Sequence, residues 1–207
     1  EMCIRDRIPA VAQDVDWRLH NLDLAGSRYA EIDQITPENA HSLTPRWLFQ
    51  HGVIDGVSNQ TTPIVVDGVM YLTDSRGSVY AVDAVNGHHM WTYDVTELLG
   101  GGRRQGYIFR HRGATYEDGV VYSAAGSFIF ALDAKTGEPI ETFGDNGQAS
   151  VILDVLRLRY PEVDTAISMG YWFTTAPQIH NGVLYVGSTR SESNIPVSYT
   201  HLRAHET

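Results

Sequence analysis

The chain has 207 residues, of which 43% are hydrophobic and 19% are charged, a composition that is typical of a folded globular domain and argues against intrinsic disorder. The formal net charge of −10 argues against nucleic acid or an anionic membrane surface as a partner, because phosphate groups would be repelled. No apolar run reaches the roughly 18 residues of a membrane-spanning helix, and a single cysteine cannot form an intramolecular disulfide.

Both ends of the chain resemble translated sequencing adapters of the kind that contaminate metagenomic reads. These ends are residues 1–7 (EMCIRDR) and 197–207 (VSYTHLRAHET), and we predict that they are non-native and pack poorly. Residues 8–12 end in an Ala-Val-Ala sequence that has the small-x-small form of a signal-peptidase site. We interpret them as the remnant of an export signal, with a chance occurrence as the alternative. The native part would then be residues 13–196.

Two short helices are predicted in chain order. The first covers residues 36–43 (TPENAHSL), where Thr36 can serve as the N-cap, Pro37 suits the first turn and Glu38 lies near the positive end of the helix dipole. The second falls in the insertion at residues 150–160 (SVILDVLRLRY).

Most of the remaining chain predicts short strands joined by tight turns. Residues 62–94 contain β-rich runs that are separated by Asp-Gly and Asn-Gly turns, so we expect a four-stranded antiparallel sheet within residues 61–94. Residues 112–143 repeat this pattern and predict a second sheet within residues 113–143. A third, incomplete sheet is expected to start near Thr175.

The strand pattern is an internal repeat. Gly68, Gly119 and Gly182 follow one another at intervals of 51 and 63 residues, and Asp83 and Asp133 are 50 residues apart. A four-stranded unit that recurs at this length is typical of a β-propeller blade, which buries both faces of its sheet only by stacking on neighbours. The predicted fold class is therefore all-β: a partial β-propeller of about two and a half to three blades, with one or two short helices in the lead-in and the insertion.

One motif within the repeat resembles a known family. Ala81, Asp83, Gly87 and Trp91 form an A-x-D-x-x-x-G-x-x-x-W pattern that resembles the tryptophan-docking motif of quinoprotein dehydrogenases, enzymes that use pyrroloquinoline quinone (PQQ). In such a motif the indole can wedge between adjacent blades. The second copy, residues 131–141, has a glutamate in place of the tryptophan.

Three further segments are similar to the same family: residues 21–47, 111–119 and 174–193. The resemblance implies an eight-bladed propeller that holds PQQ and Ca²⁺ near its axis, of which this chain is the N-terminal part. It implies a periplasmic, exported oxidoreductase that transfers two electrons from an alcohol, polyol or sugar to PQQ. An electron acceptor such as a cytochrome c or a quinone would follow.

The resemblance also implies which residues contact the cofactor. Gln60 matches a position where a polar or acidic side chain contacts the quinone, and Arg112 matches an arginine that pairs with a PQQ carboxylate. A guanidinium fork suits a carboxylate well. The other cofactor-binding positions that it implies are Thr174, Thr189, Arg190 and Ser191.

Glu192 matches the glutamate that binds Ca²⁺ in the family, where the ion acts as a Lewis acid on the quinone carbonyl. Calcium takes six to eight oxygen ligands, and a bidentate glutamate supplies two of them. No catalytic residue is assigned within this chain, because the general base and the remaining ligands of the family belong to later blades. We therefore expect the chain alone to be inactive.

Simpler interpretations of these residues remain open. Arg112 could be a surface arginine, Glu192 a solvated loop residue, and Gln60 and Thr174 ordinary polar groups at strand ends. Alcohol-oxidising branches of the family often have two adjacent cysteines ahead of the Arg-Gly pair, whereas residues 95–111 contain none, which favours sugar or polyol oxidation without excluding alcohols.

The alternative function is a non-catalytic scaffold propeller of the outer-membrane assembly type, which shares these repeats. Such a lipoprotein would carry a lipidated cysteine at its mature N-terminus, whereas Gln13 follows the predicted cleavage site. A scaffold would also have no reason to keep the His-Arg-Gly and GSTRSES segments together.

Overall fold

The computed structural model describes residues 15–53, 59–96, 98–99, 111–164, 170–190 and 201–203. These residues form three four-stranded antiparallel sheets, which we number as blades 1 to 3 in chain order. None of the helices in these ranges is both long and apolar enough to cross a membrane.

Blade 1 confirms the sheet predicted within residues 61–94. Its strands pair in sequence order, and Asp67 and Gly68 form the first turn with φ angles of 49° and 76°. Positive φ at both central residues is what a tight hairpin turn requires, and the Asp-Gly pair tolerates it. The strands are β1 (Ile64–Val66), β2 (Val69–Thr73), β3 (Val79–Asp83) and β4 (His89–Tyr93).

Blade 2 has the predicted order, but its fourth strand is not where we expected it. That strand lies at residues 148–149, beyond the predicted limit at residue 143. Pro139 has no N–H to donate to a ladder, and it makes only an isolated bridge to Leu132 before the chain turns. The strands are β5 (Thr115–Glu117), β6 (Val120–Ala125), β7 (Phe128–Asp133) and β8 (Gln148–Ala149).

Blade 3 is built around one long strand, β11 (Val183–Arg190). Its first half pairs with β10 (Gln178–His180) and its second half with β9 (Tyr171–Phe173), so the blade begins before Thr175. The strand β12 (His201–Arg203) pairs with β11 from the other side. The backbone pairing of residues 201–203 runs against the expectation that they pack poorly. That residues 197–207 are non-native stays a prediction. The expectation for residues 1–7 lies outside the described residues.

The two predicted helical segments differ in outcome. The insertion forms the α-helix α1 (Val151–Arg157), as predicted. The lead-in forms only a 3₁₀ turn at Ala40–Ser42, and Asn39 rather than Thr36 occupies its N-cap position. The Asn39 side chain accepts a hydrogen bond from the Thr36 backbone N–H at 2.8 Å, which closes the turn before the helix and shortens it.

Two apolar cores hold the blades together. Blades 1 and 2 share a cluster in which Ile64, Val79, Phe130 and Leu132 are fully buried. Blades 2 and 3 share a second cluster that contains Phe173. Strand β5 contacts β1 of blade 1 and β10 of blade 3, so these three strands form the inner edge of the stack.

A tryptophan of blade 1 docks on blade 2. The Trp91 indole N–H donates to the carbonyl oxygen of Ala134 at 3.0 Å, and a Cβ on Gly137 would lie 2.6 Å from the indole ring. The indole thus wedges between adjacent blades, as the motif predicts. Its partner glycine, however, is in the next blade and not the Gly87 of its own repeat.

Trp47 docks on blade 1 in the same way. Its indole N–H donates to the carbonyl oxygen of Ala84 at 3.0 Å, and a Cβ on Gly87 would lie 2.6 Å from its ring. Trp47 lies outside the predicted motif, although it precedes Trp91 by 44 residues, a spacing close to that of the repeat.

Candidate cofactor site

The residues that precede the inner strands of the three blades meet at one end of the stack. The backbone N–H of Thr62, before β1, donates to the carbonyl oxygen of Arg112, before β5, at 3.1 Å. The side chain of Arg112 in turn reaches the segment before β10. This end of the blades therefore brings Arg112 and Thr174, two of the residues that the sequence predicted at the cofactor, into contact.

Arg112 and Thr174 are in direct contact. The half-buried guanidinium donates from Nη1 to the carbonyl oxygen of Thr174 at 3.0 Å. The side chain of Arg112 therefore bridges blades 2 and 3, while its role at a cofactor stays a prediction. A guanidinium has five N–H donors in a planar fork, and this bond takes one of them.

The backbone at Arg112 is packed tightly against blade 1. The following residue, Gly113, has a φ of 124°, and a Cβ at that position would lie 2.7 Å from the carbonyl oxygen of Thr62. Only glycine allows this approach without strain. The carbonyl oxygen of Arg112 also contacts His20 Nδ1 at 3.1 Å.

His111 is buried directly before Arg112, with 2% of its surface exposed. Burial lowers the pKa of its imidazole to about 4, so the ring is neutral at pH 7. The ring lies beside Gly77 in the β2–β3 turn of blade 1, where an added Cβ would come within 3.0 Å of it. His111 therefore acts in packing between blades 1 and 2.

Gln60 comes two residues before Thr62, whose backbone N–H bonds to the carbonyl oxygen of Arg112. The following residue, Thr61, holds this segment through its side chain. Thr61 Oγ1 accepts a hydrogen bond from the backbone N–H of Thr73 at 3.2 Å and lies 3.1 Å from the Thr73 hydroxyl. Gln60 is half-buried at this end of β1.

The other predicted residues lie at the end of β11 or directly after it. Thr189 is half-buried and pairs with Trp172 of β9, and the backbone of Arg190 pairs with Tyr171. The side chain of Arg190, together with Ser191 and Glu192, lies outside the described residues. Among the residues that the structure describes, there is no group of three or more His, Cys, Asp or Glu side chains that could hold a metal ion.

A polar cleft of about 290 Å³ opens elsewhere, in blade 1. His51, Asp74, Tyr80 and Asp94 line it, and none of the predicted site residues does. The Tyr80 hydroxyl donates to Asp74 Oδ2 at 2.9 Å, while burial and this carboxylate raise the pKa of Tyr80. The other oxygen of Asp74 accepts backbone N–H groups of the β2–β3 turn, so this carboxylate has a structural role.

The chemistry of the described donors suits a ligand that carries carboxylates. Arg112 supplies a cation with directed N–H groups, Thr174 and Thr189 supply hydroxyls, and Gln60 supplies an amide. PQQ has three carboxylates, so these residues fit it by donor type.

Comparison with known proteins supports the same family. Residues 17–205 match the family described as "PQQ: Glucose/ethanol/alcohol dehydrogenase, beta-propeller domain". The 1-butanol dehydrogenase (cytochrome c) of Thauera butanivorans is 30% identical over 181 residues, which cover 87% of this chain and 23% of that protein. The quinohemoprotein alcohol dehydrogenase of Comamonas testosteroni is 29% identical over 189 residues, which cover 89% of this chain and 23% of that protein.

A solved structure shows the same architecture. The quinohemoprotein alcohol dehydrogenase of Pseudomonas putida superposes with a TM-score of 0.69 at 26% identity, covering 90% of this chain and 25% of that one. The chain thus spans about a quarter of the length of these relatives. It belongs to the family of PQQ-dependent dehydrogenases, and its three sheets are part of that family's β-propeller.

Proposed function

We propose that this chain is the N-terminal part of an exported, periplasmic PQQ-dependent dehydrogenase that oxidises an alcohol, a polyol or a sugar. The observation that carries the proposal is the contact between Arg112 and Thr174, because it places a cation with directed donors where three blades meet. Relatives in the family are named alcohol dehydrogenases, and one from Escherichia coli is named quinoprotein glucose dehydrogenase.

PQQ, when bound, accepts the two electrons that leave the substrate. The role of the chain is then to hold and orient the cofactor. Arg112 would pair with a carboxylate through its remaining N–H groups, and Gln60, Thr174 and Thr189 would hydrogen-bond around it. Arg190 and Ser191 would complete the contacts from the end of β11.

Glu192 would contribute a carboxylate to a Ca²⁺ ion, which would serve as a Lewis acid beside the cofactor. Calcium takes six to eight oxygen ligands, and Glu192 can supply two. The other ligands and the general base would come from blades that follow in the complete protein. We therefore propose that the 207-residue chain alone is inactive.

The electron acceptor would be a cytochrome c or a quinone. The name of the Thauera butanivorans relative includes cytochrome c, and that of the Gluconacetobacter polyoxogenes relative includes quinone. These names support both acceptors equally.

The test begins with recovery of the complete gene and expression of the complete protein. We expect it to take up about one PQQ per chain and to reduce an artificial dye in the presence of Ca²⁺ and a substrate from a panel of alcohols, polyols and sugars. Residues 13–196 expressed alone are the matched control and should show no turnover. A complete protein that folds but takes up no PQQ would contradict the proposal.

A further inference from the structure

The lead-in segment lies across the inner strands of two blades. Trp17 pairs with Val65 of β1 in antiparallel fashion, through N–H to carbonyl bonds of 2.7 and 2.9 Å in the two directions. The carbonyl oxygen of Arg18 accepts bonds from the Tyr116 N–H at 3.0 Å and the Thr115 hydroxyl at 3.2 Å. Because the lead-in runs opposite to β1, the residues after Trp17 come to the end of the blades where the cofactor donors meet.

His20 reaches Arg112 at that end. Its Nδ1 lies 3.1 Å from the carbonyl oxygen of Arg112, across 92 residues of sequence. A carbonyl oxygen can only accept, so Nδ1 carries the proton in this bond. We infer that His20 is a positioning residue for Arg112, which sets the guanidinium toward the PQQ carboxylate; the inference rests on the proposed function.

Three hydrogen bonds fix Arg112 from three parts of the chain. Its carbonyl oxygen accepts from the backbone of Thr62 in blade 1 and from the His20 side chain, and its guanidinium donates to the backbone of Thr174 in blade 3. Of the two partners on its carbonyl oxygen, His20 is the one that acts through a side chain. A substitution at His20 therefore removes one anchor and leaves the backbone bonds in place.

The anchor matters because a guanidinium that is already oriented loses less freedom when the ligand binds. Without His20, the backbone at Arg112 gains freedom to shift relative to the lead-in. The expected result is weaker cofactor binding, with the fold of the blades unchanged.

The experiment measures the dissociation constant of PQQ for the complete protein by equilibrium titration, with folding checked by circular dichroism. His20→Ala should weaken PQQ binding roughly three- to tenfold, the effect of losing one neutral hydrogen bond. His20→Asn should restore most of the affinity, because its amide nitrogen takes the place of Nδ1. His41→Ala removes an exposed lead-in histidine and is the matched control with unchanged affinity.

Each result decides the inference. If wild-type protein takes up no PQQ, the proposed function fails and this inference fails with it. If wild-type protein binds PQQ and His20→Ala binds it equally well, or if His20→Asn is as weak as His20→Ala, the positioning role alone is overturned. If His20→Ala does not fold, His20→Asn should bind PQQ more tightly than His20→Gln, whose amide reaches the Nε2 position; equal affinities would overturn the role.

Discussion

The hydrogen bond from Arg112 Nη1 to the carbonyl oxygen of Thr174 joins blade 2 to blade 3 at 3.0 Å, across 62 residues of sequence. Each of the two residues precedes the inner strand of its blade. The side chain of Arg112 is therefore held at the edge of the stack where the inner strands start. A cofactor with carboxylates would find the cation oriented before it binds.

Replacing Arg112 tests this arrangement in the complete protein. Arg112→Ala should weaken PQQ binding roughly tenfold to a hundredfold, because hydrogen bonds to charged groups contribute more than neutral ones. The PQQ affinity of Arg112→Lys should lie between those of wild type and Arg112→Ala, since lysine keeps the charge but has no planar fork. The measurement is the PQQ dissociation constant, and Arg46→Ala, at an exposed position, is the control. Unchanged binding by Arg112→Ala would remove Arg112 from the site.

Glu192 can be tested through calcium. Removing one direct ligand should lower the affinity for Ca²⁺ at least as much as the roughly tenfold that loss of an outer-shell partner costs. Glu192→Ala should therefore need a correspondingly higher Ca²⁺ concentration to regain dye-linked activity after chelation. Glu138 lies in the exposed turn that follows β7 of blade 2, and Glu138→Ala should reactivate like wild type. Identical calcium titrations for the two variants would exclude Glu192 as a ligand.

The sequence predicted the blades where local signals are strong. In blade 1, Asp67-Gly68 marks a turn between two β-rich runs, and the structure has it there. The fourth strand of blade 2 could not be predicted in the same way. It has two residues, and Pro139 ends the regular pairing that the repeat would otherwise continue.

The site was only partly predictable for a related reason. Residue types and the family resemblance indicated Arg112 and Thr174, but their contact depends on how two blades stack. His20 has no local signal at all, since its partner lies in another blade. For Trp91, the motif shows that an indole and a glycine occur together in the first copy, and that the glycine alone recurs in the second. It does not show that they meet across the boundary between blades.

The buried His111 predicts a pH dependence of stability. Burial holds the pKa of His111 in the folded chain at about 4, below the ordinary value of 6.5. Between these two pH values the imidazole is protonated in the unfolded chain but not in the folded chain. This contribution to the free energy of unfolding is fully present above about pH 6.5 and is lost as the pH falls toward about 4, by up to about 3 kcal/mol.

Urea denaturation of the complete protein at about pH 7 and about pH 5 measures this loss. His111→Gln should be destabilised at neutral pH but should lose less further stability on acidification than wild type. His180→Gln, at an exposed position, is the control and should keep the wild-type dependence. If His111→Gln and wild type lose the same free energy between the two pH values, another group causes the acid sensitivity.

Docking of the tryptophans predicts unequal costs for two similar glycine substitutions. Gly137 and Gly119 both have positive φ, 76° and 85°, so alanine at either should cost about 1–2 kcal/mol for the left-handed conformation. At Gly137 the new Cβ would also lie 2.6 Å from the Trp91 ring, whereas at Gly119 no atom beyond the adjacent residues would lie within 4 Å of it. The Trp91 indole cannot withdraw without losing its bond to Ala134, so Gly137→Ala should cost a further 1–3 kcal/mol or so.

A double-mutant cycle separates the two contributions to the Gly137→Ala cost. In a Trp91→Ala background the ring is gone, and the cost of Gly137→Ala should fall to that of Gly119→Ala, which itself should be the same in both backgrounds. The free energies come from urea denaturation followed by far-ultraviolet circular dichroism, because the signal must not depend on the tryptophan that is removed. A Gly137→Ala cost that stays the same with and without Trp91 would show that the backbone conformation, and not the docked indole, makes glycine necessary at this turn.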